Sequence, residues 1–302
     1  MLTMYYTVNY KCNINKYKKG WYKMGVIIDG KKISEEVLCE VKAETEKMKN
    51  EGLVPCLAVV LVGDDAASKI YVNNKKKACE KVGIKSEEYL LDKSTSEKEL
   101  ISLINELNNK ESVSGILVQL PLPEHINEDA VINAISSEKD VDSFNSVNVG
   151  KLMQGTAKIL PCTPAGIVRI LDRENIEIQG KNCVVVGRSN IVGKPISMLL
   201  LQRNGTVTIC HSKTKNLKDI CRTADILIVA VGKEKFIKED MVKENAVVID
   251  VGINRMSNGK LCGDVDFEAV KNKCSYITPV PGGVGPMTIA MLMKNTVICC
   301  RK

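Results

Sequence analysis

The stretch from Val184 to Pro195 constrains the fold of this chain more than any other. Val184, Val185 and Val186 make a short apolar strand that Gly187 ends. After Arg188-Ser189-Asn190-Ile191-Val192-Gly193-Lys194-Pro195, the apolar run from Ile196 to Leu201 has the length and composition of a helix. A strand that feeds a helix through glycines leaves backbone N–H groups at the helix N-terminus able to hold a phosphate. The spacing departs from G-x-G-x-x-G: Ser189 stands at the second glycine, and the last glycine comes one residue late. Taken alone, the stretch fits a nucleotide site or a plain buried strand–turn–helix.

The next strand, Thr206 to Cys210, separates these readings further. An NAD-binding βαβ unit places an Asp or Glu about 20 residues beyond the first glycine, to accept from the ribose 2′-hydroxyl. Here that strand end carries His211, Ser212, Lys213 and Lys215 and no acid, while the turn itself brings Arg188. Hydroxyls and cations suit a 2′-phosphate, so the residues point to NADP before NAD. A solvated basic loop is the plainer account of the lysines.

A chain of 302 residues is long enough for two domains, each with its own core. Its net charge of +7 is concentrated at one end. Residues 1–23 hold five lysines and no acid, which leaves 38 basic groups against 36 acidic ones in the remainder. A nearly neutral body argues against a nucleic-acid surface, whose footprint is a basic face. The first 23 residues mix Tyr, Trp, Asn and Lys without periodicity and without the apolar core of a signal peptide. They read as a disordered extension, or as sequence upstream of a start at Met24. The longest apolar runs, such as Ile226 to Val231, are far too short to cross a bilayer. The 12 cysteines are scattered with no C-x-x-C pair, which reads as reduced, buried thiols in a cytoplasmic protein. Two histidines and no paired cysteine ligands speak against structural zinc, and no metal is expected.

From Met24 onward the pattern alternates strand and helix. A helix capped by Ser34 runs to Lys49, with Gly52 beyond its end; Cys56 to Val62 is a buried strand; a helix from Ser68 to Val82 stops at Gly83. Ser96 and Glu99 form a capping box, Gly115 to Leu120 is a strand closed by Pro121-Leu122-Pro123, and Glu128 to Ile135 is a helix. The Asn- and Gly-rich stretch from Ser143 to Leu160 reads as the link between domains, and a helix follows Pro161-Cys162-Thr163-Pro164. Asp225–Val231 and Ala246–Val251 are further buried strands, each followed by a glycine, and Pro286 to Thr296 is the closing helix. The fold class is α/β, with the nucleotide unit built on a parallel sheet.

Four places outside the glycine turn can carry chemistry. Tyr71 and Lys75 are four apart on one helix and share a face with Ala78 and Val82, which would desolvate the amine and lower its pKa. A basic run on a solvated helix accounts for the same lysines. Gln119 ends a buried strand, where an amide satisfies backbone groups or holds a lysine. Asp140 and Asp142 flank one valine and point apart if extended, so one can meet a heterocycle with adjacent N–H donors while the other bridges structure. The loop Pro279-Val280-Pro281-Gly282-Gly283-Val284-Gly285-Pro286 suggests a rigid turn where backbone approaches a ligand.

Together these motifs resemble the bifunctional methylenetetrahydrofolate dehydrogenase/methenyltetrahydrofolate cyclohydrolase family. The resemblance runs over nearly all of Met24 to Thr296. Its motifs, in family order, are Tyr71-Val72-x-x-Lys75-x-Lys77, Val118-Gln119-Leu120-Pro121-Leu122-Pro123, Lys139-Asp140-Val141-Asp142 and Pro161-Cys162-Thr163-Pro164. They continue with Gly187-Arg188-Ser189-x-Ile191-Val192-Gly193, Cys210-His211-Ser212, Asp250-Val251-Gly252-Ile253-Asn254 and Pro281-Gly282-Gly283-Val284-Gly285-Pro286-Met287-Thr288.

The resemblance implies Lys75 as the central catalytic group, with Tyr71, Gln119 and Asp142 beside it and Asp142 anchoring the pterin. It implies a substrate site that also includes Val118, Leu120, Pro281, Gly282 and Gly283, and NADP contacts from Gly187, Arg188, Ser189, Ser212 and Ile253. The implied division is a catalytic folate-binding α/β domain over 24–145, completed by a C-terminal helix at 286–302, and a Rossmann-type NADP-binding domain over 146–285. A homodimer acting on one-carbon tetrahydrofolates, with neither nucleic acid nor membrane as a partner, is implied as well. Where the family commonly has Gly at 143 and His-Pro at 145–146, this chain has Ser143, Asn145 and Ser146.

Two other functions share parts of this pattern: an NADP-dependent hydroxy-acid or shikimate-type dehydrogenase, and a nucleotide-sensing module without turnover. Turnover of methylenetetrahydrofolate with NADP separates all three. Residues 1–23 lack periodicity and apolar surface to bury, so a chain beginning at Met24 is expected to match the full chain in melting temperature and turnover. A large drop in either shows that the segment packs on the body.

Overall fold

The computed structural model describes residues 25–301, so residues 1–23 and the proposed start at Met24 lie outside the described residues. The chain opens with a two-residue strand, β1 (Val26–Ile27), and a long helix, α1 (Gly30–Asn50). Asp29, and not Ser34, caps α1, its carboxylate accepting from the Lys32 N–H at 2.9 Å. Ser34 lies buried inside the first turns and donates its hydroxyl to the Lys31 carbonyl at 2.7 Å. Both residues are good caps, but Asp29 precedes the whole buried stripe of Ile33, Val37, Leu38, Val41 and Met48.

Next come β2 (Cys56–Val62), buried throughout, and α2 (Ala66–Val82), capped by Asp65 and ended by Gly83 in the left-handed region at φ 76°. Strand β3 (Lys85–Leu91) was not anticipated, since its Lys-Ser-Glu-Glu start hides an edge strand with one half-wet face. Helix α3 (Glu97–Asn109) forms the expected Ser96–Glu99 capping box, and β4 (Gly115–Val118) and α4 (Glu128–Ala134) follow. The expected link at 143–160 is in part a helix, α5 (Ser146–Met153). Asn145 caps it, and Asn148 turns inward to the Asp140 carboxylate, so asparagines that signal a loop here start and anchor a helix.

The second half runs α6 (Cys162–Arg173), β5 (Asn182–Val186), α7 (Gly193–Gln202), β6 (Thr206–Cys210), α8 (Leu217–Cys221), β7 (Ile226–Val229) and β8 (Val247–Asp250). A small hairpin, β9 (Asn254–Arg255) with β10 (Leu261–Cys262), precedes α9 (Phe267–Val270), β11 (Tyr276–Ile277) and the closing helix α10 (Val284–Cys300).

Two parallel sheets result. The smaller has the order β3-β2-β4, and the larger β1-β11-β8-β7-β5-β6, which is the doubly wound arrangement expected of a nucleotide unit. The partition at 145/146 is crossed by one strand: β1 pairs with β11 in the larger sheet although it lies in the first stretch of chain. Two residues show no periodicity, so only the pairing reveals their place.

Strand alternation divides the core into three layers. Leu57, Val59 and Leu61 of β2 share one core with Val185, Ile228 and Ile249 of the large sheet, through α1, α2, α6 and α10 between them. The opposite faces pack elsewhere: Cys56, Ala58, Val60 and Val62 on α3, and Val184, Val186, Leu227 and Val229 on the outer side of the large sheet. The middle layer is therefore common to both sheets, and the cleft opens above it.

The start of α1 grips the glycine loop before α10. The Lys31 N–H donates to the Gly282 carbonyl at 3.1 Å, and a Cβ on Gly30 would stand 1.9 Å from the Gly283 oxygen. Backbone on both sides leaves nothing to yield. Gly30→Ala is accordingly expected to cost about 1–3 kcal/mol, the range for overpacking, read as a lowered melting temperature; an unchanged melting temperature would show that the loop shifts without penalty.

Candidate active site

Lys75 projects from α2 on the face that carries the buried Ala78 and Val82. Its Nζ donates to Gln119 Oε1 at 2.8 Å. Gln119 is itself fixed at the end of β4: its backbone N–H bonds the Val60 carbonyl at 2.8 Å, and its side-chain amide donates to the Leu120 carbonyl at 2.6 Å. That leaves Oε1 directed at the lysine. The Leu120–Pro121 peptide that follows is cis, as is Val280–Pro281 in the glycine loop.

Burial pulls the Lys75 amine below the ordinary lysine range, while the Asp142 carboxylate holds it up. Asp142 is the mirror case, raised by burial and lowered by the Lys75 charge and the Cys162 thiol. Burial thus drives each group toward its neutral form, and their mutual attraction opposes this.

The Lys139–Asp142 segment divides its labour. Lys139 donates to the Leu107 and Lys110 carbonyls at 3.0 and 2.8 Å, at the C-terminal end of α3. Asp140 is buried and accepts from the Asn145 N–H at 2.8 Å and the Asn148 side chain at 3.0 Å. Burial still pushes its carboxyl up to about 6. Asp140 bridges structure, and Asp142 faces the cleft.

A cavity of about 400 Å³ brings Tyr71, Lys75, Val118, Gln119, Leu120 and Asp142 together with Ile253 from the far sheet. Pro281, Gly282 and Gly283 line an adjoining cavity of about 760 Å³, which shares Tyr71, Val251 and Ile253 with the first. Sequence reasoning gave no role to Phe144, Cys162, Thr163, Ile191, Val192 and Thr288, which also line the first cavity. Cys162, Thr163 and Thr288 stand in motifs already noted, and the Thr163 and Thr288 hydroxyls meet at 2.9 Å between α6 and α10.

On the large sheet, the turn after β5 has the close packing a nucleotide site needs. Gly187 has φ 135°, and a Cβ there would lie 2.2 Å from the Ala230 oxygen; one on Gly193 would lie 2.3 Å from the Gly187 oxygen. Arg188 and Ser212 each lie two residues past the end of their strand, beyond the register pair Val186↔Cys210, and both are exposed. The Ser189 hydroxyl accepts from the Val192 and Gly193 N–H groups at 3.2 and 3.3 Å. Two of the backbone donors expected to face a phosphate are therefore engaged by Ser189, whose hydroxyl closes the turn locally ahead of Val192, the N-cap of α7. Among the described residues, no group of three or more His, Cys, Asp or Glu side chains is gathered as for a metal ion.

Comparison with known proteins agrees with this geometry on both sides of the cleft. A family model described as tetrahydrofolate dehydrogenase/cyclohydrolase, catalytic domain, matches residues 28–142, and its NAD(P)-binding companion matches residues 161–302. The chain belongs to the tetrahydrofolate dehydrogenase/cyclohydrolase family. It is 61% identical over 271 residues to the bifunctional protein FolD of Campylobacter hominis, covering 90% of this chain and 95% of that one. The solved structure of the bifunctional FolD from Campylobacter jejuni superposes with a TM-score of 0.90 at 51% identity, covering 91% of this chain and 98% of that one. The Trypanosoma brucei enzyme, solved with NADP cofactor and an inhibitor, gives 0.88 at 35% identity, covering 92% and 98%.

Two of the three departures from the common family pattern after Asp142, Ser143 and Asn145, are tied into the surrounding backbone. Ser143 takes the positive φ of 59° that a glycine takes easily, and its buried hydroxyl donates to the Ile159 carbonyl at 2.9 Å. Asn145 donates to the Ile135 carbonyl at 2.9 Å and caps α5.

Arg188 and Ser212, at strand ends whose sequence carries no acid, are the donors expected for a 2′-phosphate. Losing one charge-assisted hydrogen bond costs on the order of 1.5–3 kcal/mol. Arg188→Ala is expected to weaken NADP by that amount and NAD by much less; equal loss for both in a titration would refute the assignment.

Proposed function

We propose that one cleft carries both reactions of the family, with Lys75 moving protons and the turn after β5 holding the cofactor. The enzyme oxidises 5,10-methylenetetrahydrofolate to 5,10-methenyltetrahydrofolate with NADP and then hydrolyses it to 10-formyltetrahydrofolate. When bound, NADP supplies the hydride acceptor. Gly187, Arg188, Ser189, Ser212 and Ile253 would hold it.

The observation that carries the reading is the Lys75–Gln119 hydrogen bond beside Asp142, in a cavity that Ile253 closes from the other sheet. Asp142 suits the adjacent 2-amino and N3–H donors of a pterin, and Tyr71 flanks it. Alignment of two rings across the cleft is what hydride transfer chiefly needs. Hydrolysis needs more. As water adds to the methenyl carbon, the Lys75 amine takes its proton. The C–N5 bond then breaks, N5 gains a proton, and the former water oxygen becomes the formyl carbonyl. Gln119 keeps the amine aimed, and burial makes its neutral form accessible.

The folate side is assigned to 24–145 with α10, and the cofactor side to 146–285 with β1 added. We place the enzyme in the cytoplasm, where reduced cysteines persist; eight of the eleven described cysteines are buried. Tetrahydrofolate derivatives are its partners, with neither nucleic acid nor membrane, and no helix among the described residues is long and apolar enough to cross a bilayer. A homodimer is favoured by β3, which stands at the edge of its sheet with Leu90 66% exposed.

Lys75→Met keeps the stem's length while removing charge and donor. General acid–base catalysis is worth about 10²–10⁴-fold, so decay of methenyltetrahydrofolate without NADP is expected to slow by that factor. Lys75→Arg is expected not to rescue it, because a guanidinium stays protonated. In the wild type this rate is expected to rise with pH, since the neutral amine is the base, with a midpoint below that of an ordinary lysine. Wild-type decay in Lys75→Met would reduce Lys75 to one charge on a basic helix.

A further inference from the structure

Two buried acids, Asp250 at the wall of the larger cavity and Asp264 behind it, gather the loops at the C-terminal ends of β7 and β8. Asp264 is fully buried and accepts four hydrogen bonds. Three come from successive backbone N–H groups after β7, those of Val231 at 2.6 Å, Gly232 at 3.0 Å and Lys233 at 2.8 Å; the fourth comes from the Asn254 side chain at 2.9 Å. Asp250, 2% exposed, accepts from the N–H groups of Gly252 at 3.2 Å, Asp264 at 2.9 Å and Val265 at 2.9 Å.

The glycines opposite make the space. A Cβ on Gly252 would lie 2.1 Å from the Asp264 carboxylate, and one on Gly263 would lie 1.8 Å from Asp250 Oδ2. Each carboxylate thus fills the room left by a missing side chain next to the other. The pair closes the base of the β9–β10 hairpin, and Ile253 projects from that base into the cleft. The 231–233 loop starts one residue beyond Ala230, whose carbonyl is packed under Gly187. One carboxylate therefore sets both the loop beside the phosphate turn and the arm that bears Ile253.

We infer that Asp264 is a positioning residue for the cofactor: it holds the 231–233 loop and the Ile253 arm at the spacing that NADP binding requires. The inference rests on the assignment of the large sheet to NADP. Four donors converge on one buried carboxylate, and a carboxylate is the side chain that accepts all four at once. The signal was absent from sequence, because Asp250 and Asp264 are 14 residues apart and meet only when the hairpin folds back.

The test is Asp264→Asn in the full chain, which keeps the shape but turns an amide donor toward backbone donors. NADP affinity is measured by calorimetric titration, and methenyltetrahydrofolate decay without NADP is measured alongside. The expected result is a rise in the NADP dissociation constant of about 10- to 100-fold, the worth of one charge-assisted hydrogen bond, with cofactor-free decay within about twofold of wild type. Unchanged affinity, or parallel loss of affinity and cofactor-free decay, overturns the inference. Should Asp264→Asn fail to fold, Asn254→Ala removes the one side-chain donor from a half-buried site. It is expected to weaken NADP in the same direction, and unchanged affinity there overturns the inference too. Wild-type protein that does not bind NADP would sink the cofactor assignment itself and this inference with it.

Discussion

The structure depends on one layer of helices that serves two sheets at once. α10 is apolar around nearly its whole circumference, with Met287, Ala290, Met291, Leu292, Met293 and Val297 all buried. It packs on α1, α2 and α6, and each of these in turn covers a face of one sheet or the other. Apolar surface on every side removes any solvent face, so the helix must lie between elements. Its one buried amide, on Asn295, donates to the Val141 and Leu160 carbonyls at 2.8 Å each. Those carbonyls lie beside Asp142 and Cys162. The helix that joins the two units thereby sets the acid of the cleft.

Function follows from what this joint places at its upper edge. Lys75 comes from the catalytic domain, Ile253 from the NAD(P)-binding domain, and Asp142 from the segment leaving the smaller sheet. An amine half out of water next to a half-buried carboxylate is costly unless both are held, and Gln119 does the holding through a side chain pinned at both ends. At Lys75 desolvation outweighs the attraction of Asp142, so the amine gives up its proton more easily than an ordinary lysine. The cofactor side works by shape: Gly187, Gly193, Gly252 and Gly263 each make room for backbone or a carboxylate that a side chain would displace.

Periodicity made much of the fold legible. Strands buried on both faces, such as β2 and β7, read as unbroken apolar runs because both neighbours are apolar. Helices with a one-sided stripe and a polar cap, such as α3, read as well. What escaped was whatever lacked a stripe of its own: β1 and β11 are two residues long and exist by pairing, β3 is a charged edge, and α5 hides behind asparagines that bond inward. The site divided in the same way. Tyr71 and Lys75 shared a helical face visible in the spacing, and the missing acid after β6 pointed to a 2′-phosphate.

The sequence by itself determined the class of fold, the strand–turn–helix from Val184 to Leu201, and the residue types able to move a proton. These rest on local physics, on periods of two and 3.6 and on the special backbone of glycine. Only the tertiary structure decided which of two acids two residues apart meets the cleft and which is spent on Asn145 and Asn148. It also decided that Gln119 points at Lys75, and that Asp250 and Asp264 lie together beneath the loops that follow β7 and β8. Hydrogen bonds between distant segments leave no period in the chain. They form where packing of the shared helical layer brings those segments within reach.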